Sequence, residues 1–360
     1  MRIAYVLYWN LHRRDGVAKK IRGQVDHWRA AGHDVEVFCV SRGDAAGSPW
    51  RIFPFKSFRD RYRATQAFQQ SVIDWRPDVA YLRFDVFLPP VTRMTAAVPT
   101  VAEIQTVERA EMKVRRVRSN TTLLYNELTQ PLVLSRTRGL VCVTHEIAEQ
   151  RFVKAHRKPT IVIGNGIDLA RVRELPSATN DSPHVVFLAS VGQTWHGVDK
   201  IMWMAEQLPD VTFHFVGYRP EDVPGTPPPN LIAHGVLTRE EYEPILERCD
   251  AGIGTLALHR LDMYEASTLK VREYLAYGLP LVLGYEDTDL AGLDPWWKLQ
   301  LPNEESNVHE GIERIREFLW SVRGRRVPRT EVANRIGAHV KERRRLEFLA
   351  GFARAAESAA

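Results

Sequence analysis

Two glutamates, Glu265 and Glu273, stand eight positions apart in residues 264–280, YEASTLKVREYLAYGLP. Ser267, Thr268 and Lys270 lie between them, and Gly278 and Pro280 close the stretch. A short hydroxyl at Ser267 or Thr268 can accept the first free N–H of a helix. Gly278 supplies a left-handed C-terminal residue, and Pro280 prevents continuation. The spacing predicts a loop carrying Glu265, a helix of about three turns, and a strand over 281–285. A helix start presents free N–H groups and a partial positive charge, which suits a phosphate. Lys270 in the first turn opposes the helix dipole, an objection that a bound polyanion removes. The two carboxylates can then accept hydrogen bonds from sugar and ribose hydroxyls on either side of a diphosphate. A surface amphipathic helix with two solvated acids fits the same spacing.

E-x7-E followed by [YF]-x-A-x-G-x-P resembles the donor-site signature of retaining glycosyltransferases of the GT-B type, the large family-four class. The wider block GTLALHRLDMYEASTLKVREYLAYGLP looks like a subgroup that builds cell-surface polysaccharides. The resemblance implies an α/β fold of two doubly wound Rossmann-like domains facing across a cleft. It implies metal-independent transfer of a hexose from a nucleotide sugar to a glycan or lipid-linked acceptor. No cofactor is implied beyond that co-substrate, and UDP- and GDP-sugars both remain open. Carried over, Glu265 lies beside the donor sugar as a catalytic residue and Glu273 binds the nucleotide ribose. The loops at Gly217 and at Gly235–Leu237 frame the base. The family's phosphate clamp is an Arg and a Lys, but GQTWHG places His196, before Gly197, where the Lys stands, with no Arg ahead of it. Neutral His is a weaker phosphate ligand that can still donate a hydrogen bond, so the diphosphate leans on Lys270, helix N–H groups and Arg260. A sugar-nucleotide epimerase and a catalytically silent GT-B binding subunit are the rival readings.

The elements that must position these residues alternate. Residues 3–7, a polar loop 9–16, a helix over 17–31 and a strand over 34–40 make a β-α-β start. The loop WNLHRRDGVAKKIRG, with Arg14 and Gly16, resembles the family's first Gly-rich loop on the acceptor side. Further strands are expected over 78–83, 100–104 and 139–144. Their carboxyl ends carry Glu103, with Gln105 and Glu108 close by, and His145. Glu103 is a candidate for catalysis or acceptor activation, and a buried, hydrogen-bonded carboxylate is the alternative. In the second half, strands over 184–191, 211–216, 230–234, 251–256 and 281–285 alternate with helices over 198–207 and 239–248. Ligands in such folds sit at the carboxyl ends of strands. The expected domains are 1–173, a linker over 174–183 (ELPSATNDSP), 184–340, and a basic C-terminal helix over 341–360 returning to the first domain.

At 360 residues the chain is long enough for about two domains. Lys and Arg number 49 against 44 Asp and Glu, a balance that favours an anionic partner. Residues 53–63 and 108–138 pair Arg and Lys with Leu, Phe and Tyr, so they can form a face for an anionic membrane surface or simply a solvated one. No nucleic-acid motif is present. The three widely spaced cysteines give no disulfide framework, which points to a reducing cytoplasm, with a peripheral place at the inner face of the membrane left open. Gly252-Ile-Gly254 mimics a dinucleotide fingerprint but reads as a strand. Asp287-Thr-Asp289 mimics a metal-binding DxD but reads as a cap, and no metal site is expected.

Overall fold

The computed structural model describes residues 1–8, 16–42, 48–83, 91–105 and 120–357. They form two units, residues 1–164 with 338–360, and residues 165–337.

In the first unit, β1 (Arg2–Tyr8), β2 (Asp34–Arg42), β3 (Arg51–Phe55), β4 (Val79–Arg83), β5 (Thr100–Ile104), β6 (Gly139–Cys142) and β7 (Thr160–Val162) form one parallel sheet. Their order is β3-β2-β1-β4-β5-β6-β7. Every residue of β4, β5 and β6 is buried, as expected when helices cover both faces. The two faces have separate cores. Ala4 and Val6 look towards Phe68 and Val72 of the helix Phe58–Asp74. Ile3, Tyr5 and Leu7 look towards Ile21, Val25 and Trp28 of the helix Gly16–Ala30. The helix Ala338–Glu357 adds Leu349 and Ala353 to that second core. It is held there by Glu342, which accepts from Trp28 Nε1 at 2.8 Å and pairs with Arg345 at 2.6 Å.

In the second unit, β8 (His184–Leu188), β9 (Thr212–Val216), β10 (Leu231–Ala233) and β11 (Ala251–Ile253) are followed by β12 (Glu265–Ala266), β13 (Leu281–Leu283), β14 (Glu286–Asp287) and β15 (Lys298–Gln300). The parallel main sheet has the order β10-β9-β8-β11-β13-β15, and β12 pairs with β14 alone. The chain reverses its direction of travel across the sheet between β8 and β11, which makes that junction a switch point.

Residues 174–183 do not run free between the units as a linker would. Arg326 Nε donates to Pro176 O at 2.8 Å, Arg323 Nη1 to Asn180 O at 2.8 Å and to Asp181 O at 2.7 Å, and Asn180 Nδ2 to Asp250 Oδ2 at 3.1 Å. The polar letters that read as a linker are therefore partners for the second unit's own arginines. The C-terminal helix expected over 341–360 is Ala338–Glu357, and a separate helix, Arg329–Ile336, precedes it.

Gly252 and Gly254 are packing glycines in and beside β11. A Cβ on Gly252 would stand 2.4 Å from the Tyr274 ring, and one on Gly254 would stand 2.5 Å from a Leu283 methyl. We expect Gly252→Ala to lower stability by about 1–3 kcal/mol, the cost of overpacking. A reduced urea midpoint with an unchanged slope checks this.

Candidate functional site

The helix that carries Lys270 and Glu273 spans Leu269–Ala276, shorter than the three turns expected. It ends as anticipated: Gly278 has φ +78°, and Leu279 N donates to Tyr274 O at 2.8 Å. Its start differs. Thr268 is the first flanking residue but makes no capping bond, because its hydroxyl pairs with Tyr285 Oη at 2.9 Å. Ser267 Oγ instead accepts from Asn165 N at 2.7 Å and from Arg272 Nη2 at 2.8 Å. The helix start thus lacks a hydroxyl cap and keeps its anion-binding character.

Tyr274 fixes this helix to the sheet. Its hydroxyl accepts from Leu188 N at 2.7 Å and donates to Ile253 O at 3.2 Å, bridging the carboxyl ends of β8 and β11 at the switch point. Arg272, wholly buried, fixes the flanks. It reaches Asp287 at 2.9 Å, Asp289 at 2.8 Å and Asn165 O at 2.9 Å as well as Ser267. Asp287 and Asp289 therefore hold an arginine, and Asp287 Oδ1 accepts from Asp289 N at 3.1 Å, the local turn bond expected of a cap. Burial still pushes the Asp287 carboxyl up, with Arg272 opposing it. Among the described residues no group of three or more His, Cys, Asp or Glu is arranged to hold a metal ion.

Lys270 projects from the first turn with its ammonium 4.3 Å above the Phe187 ring, near the carboxyl end of β8. Nζ is buried and has no hydrogen-bond partner among the described residues. Burial alone pushes its pKa down to about 7. A buried ammonium held only by an aromatic face is costly, and an anion beside it would recover that cost. His196 meets the same Phe187 ring edge-on, with centroids 5.8 Å apart, so Phe187 brings the two candidate phosphate ligands together. Gly197 follows in the left-handed conformation and opens the helix Val198–Gln207.

Glu265 is buried in β12, on a short strand rather than in a loop. Glu273 is partly exposed and accepts from the Tyr242 hydroxyl, with Arg239 Nε 3.9 Å away. The loops at Gly217 and Gly235 join, Gly217 N donating to Gly235 O and Gly235 N to Tyr218 O, both at 2.7 Å. Gly217 has φ +100°, and a Cβ there would meet Ala189 O at 1.9 Å, so only glycine allows this approach.

Three expectations need correction. Arg260 is not available to a phosphate. Its Nε donates to Glu305, Nη1 to Thr194 O and Asp199, and Nη2 to Asp199 and Glu305, at 2.6–3.2 Å. All five of its N–H groups are spent. Glu103 takes the alternative state, a buried, hydrogen-bonded carboxylate. Its side chain is 0% exposed, with Lys20 at 3.1 Å, Arg83 at 3.6 Å and Arg345 at 3.7 Å. Burial alone would raise its pKa, but Lys20, Arg345 and Arg83 outweigh that and hold it at about 2. That pairing keeps the carboxylate charged near neutrality. Third, the 174–183 stretch belongs to the second unit, as described above. On the acceptor side, His145 is exposed at the start of the helix His145–Glu149, and Gly16 opens the helix Gly16–Ala30. Arg14 and Glu108 lie outside the described residues.

Solved structures of similar fold cover 95–99% of this chain. The lipopolysaccharide outer core galactosyltransferase WaaB matches at TM-score 0.66 and 10% identity, covering 95% of this chain and 97% of its own. An alpha-glucosyltransferase in complex with UDP matches at 0.63 and 12%, covering 97% and 100%. A sucrose-phosphate synthase from Thermosynechococcus elongatus matches at 0.62 and 13%, covering 99% and 98%. The fold is GT-B. Within this GT-B chain, residues 14–171 match the model for Glycosyltransferase Family 4, whereas the paired glutamates lie beyond that match. No curated protein sequence matches the chain.

Several side-chain contacts of the second unit carried no signal in the sequence. Phe187 is one apolar letter in the strand HVVFL, and Tyr242 and Arg239 meet Glu273 from the helix Arg239–Arg248, about thirty residues away. His184, His214 and His234 form a stacked chain with nitrogens 3.0 and 2.9 Å apart, ending beside Gly235. Their placement on neighbouring strands two residues out of step produces that contact.

Proposed function

We propose that the protein is a retaining, metal-independent glycosyltransferase that moves a hexose from a nucleotide-diphosphate sugar to a glycan or lipid-linked acceptor in cell-surface polysaccharide synthesis. The observation that carries this reading is the buried, unpartnered ammonium of Lys270 at an uncapped helix start, with Glu265 and Glu273 on either side in sequence. The UDP in one neighbouring complex is in keeping with a nucleotide donor here.

Lys270 and the first helix N–H groups receive the diphosphate, with His196 as a lesser donor. The bond from the anomeric carbon to the phosphate oxygen breaks and its electron pair leaves on the diphosphate. The acceptor hydroxyl oxygen bonds to that carbon, and its proton passes to the released diphosphate. Charge growing on the leaving group is met by groups already in place. Glu265 orients the sugar and offsets positive charge at the anomeric carbon. Glu273, held by Tyr242, accepts from the ribose hydroxyls. A lipid-linked acceptor would put the enzyme at the cytoplasmic face of a membrane.

A panel of nucleotide sugars screened by thermal stabilisation identifies the donor, because a ligand that binds only the folded form raises its melting point. With that donor, Glu265→Ala is expected to lower kcat on the order of a hundredfold. Glu273→Ala is expected to raise the donor KM about tenfold, the loss of a hydrogen bond to a charged group. Unchanged rates in both variants would remove the assignment. Conversion of the donor with no acceptor present would favour the epimerase instead.

A further inference from the structure

Glu273 uses only half of its carboxylate within the chain. Oε1 accepts from the hydroxyl of Tyr242, a buried side chain of the helix Arg239–Arg248. Among the described residues no donor bonds Oε2, and the side chain stays 22% exposed. An ionised carboxylate offers about four lone-pair sites, so a whole oxygen is left to accept from elsewhere.

The neighbouring donors are directed away from that oxygen. Arg239 Nε stands 3.9 Å from Glu273 Oε1 but donates to the Tyr277 hydroxyl at 2.9 Å. Tyr277 in turn donates to Glu243 Oε2 at 2.8 Å, and Arg173 also donates to Glu243. Arg239, Tyr242 and Glu243 are three and four positions apart, so one helix supplies this frame from one side. It sets a positive charge beside Glu273 while filling only one of its oxygens. A clasp that merely joined two helices would take the second oxygen as well. Arg239 is near enough to do so, and its buried Nη2 has no hydrogen-bond partner among the described residues.

We propose that Tyr242 is a positioning residue that aims Glu273 Oε2 at the ribose diol of the donor, so that the site selects ribonucleotides and rejects 2′-deoxyribonucleotides. The inference rests on the ribose role given to Glu273 above. It narrows the donor to the ribose series and sets aside sugars carried on deoxythymidine diphosphate. The last torsion of a glutamate side chain is broad, and the bond from a buried tyrosine fixes it. So held, the two lone pairs of Oε2 accept from both hydroxyls of a vicinal diol in charge-assisted bonds. A nucleotide without the 2′-hydroxyl loses one of them. Sites built to hydrogen-bond a hydroxyl discriminate strongly against the analogue that lacks it.

The test is calorimetric titration of the full chain with UDP, GDP and their 2′-deoxy forms. Wild type is expected to bind the deoxy form of its nucleotide about tenfold more weakly, the value of a hydrogen bond to a charged group. Tyr242→Phe keeps the ring and loses only the hydroxyl, and its preference for ribose is expected to fall to about threefold or less. Glu273→Ala is expected to lose the preference altogether. Each ratio is taken within one variant, so partial unfolding lowers both affinities alike and cancels. A wild-type ratio kept by Tyr242→Phe but lost by Glu273→Ala would overturn the role of Tyr242 and leave that of Glu273 standing. A wild type that binds neither nucleotide, or that treats ribose and deoxyribose alike, would remove both roles. So would a ratio that Glu273→Ala leaves unchanged.

Discussion

Replacing Lys270 with Met is expected to cut sugar transfer on the order of a hundred- to a thousandfold, the usual loss when one preorganised group facing a developing charge is removed. The substitution should not unfold the protein, since it replaces a buried, unpartnered ammonium with an apolar chain of similar length against Phe187. Its second consequence is a change in pH dependence. Burial holds the free Lys270 down to about 7. A bound diphosphate stabilises the charged form and so raises that value. Below about pH 7 the ammonium is already charged, and donor affinity owes it no pH dependence. Above that point binding must take up a proton, and affinity should fall by up to about tenfold per unit until the raised value is reached. Lys270→Met should bind weakly and evenly across the same range.

Replacing Arg272 with Met is expected to have the largest effect on stability, about 3–5 kcal/mol, because it leaves Asp287 and Asp289 without their counter-charge. That is a large part of the stability of an ordinary domain. Asp287 is fully buried, and its carboxyl is pushed up by burial even with the guanidinium present. Without it the group should protonate to escape an unpaired buried charge. Arg272 also ties Ser267 and Asn165 O, so the variant should lose donor binding before it unfolds. Chemical denaturation followed by Trp fluorescence measures the first effect. A shift below about 1 kcal/mol, the range of surface pairs, would contradict the role given to Arg272.

What could be read from the sequence was local. The helices Val198–Gln207 and Arg239–Arg248 begin and end where apolar period and caps place them. The strand Arg51–Phe55 was missed because Pro54 interrupts it, yet as the sheet's edge strand it can tolerate a proline. The pairing of β12 with β14 depends on a two-residue match across twenty-one positions, which no periodicity announces. The same limit governs the site. Glu265, Lys270 and Glu273 stood out because they share one segment. The neutralisation of Arg260 by Asp199 and Glu305, and the enclosure of Glu103 by Lys20, Arg83 and Arg345, come from residues far apart in the chain. A charged residue's letter says nothing about which opposite charge the fold will set beside it.

Calorimetric titration with UDP and with GDP at about pH 8, in buffers of different ionisation heat, puts the diphosphate and Lys270 in a single experiment. Binding by the wild type with uptake of close to one proton, and little or no uptake by Lys270→Met, is the expected result. Binding of either nucleotide without proton uptake, or equal uptake by the variant, would mean that the anion docks elsewhere.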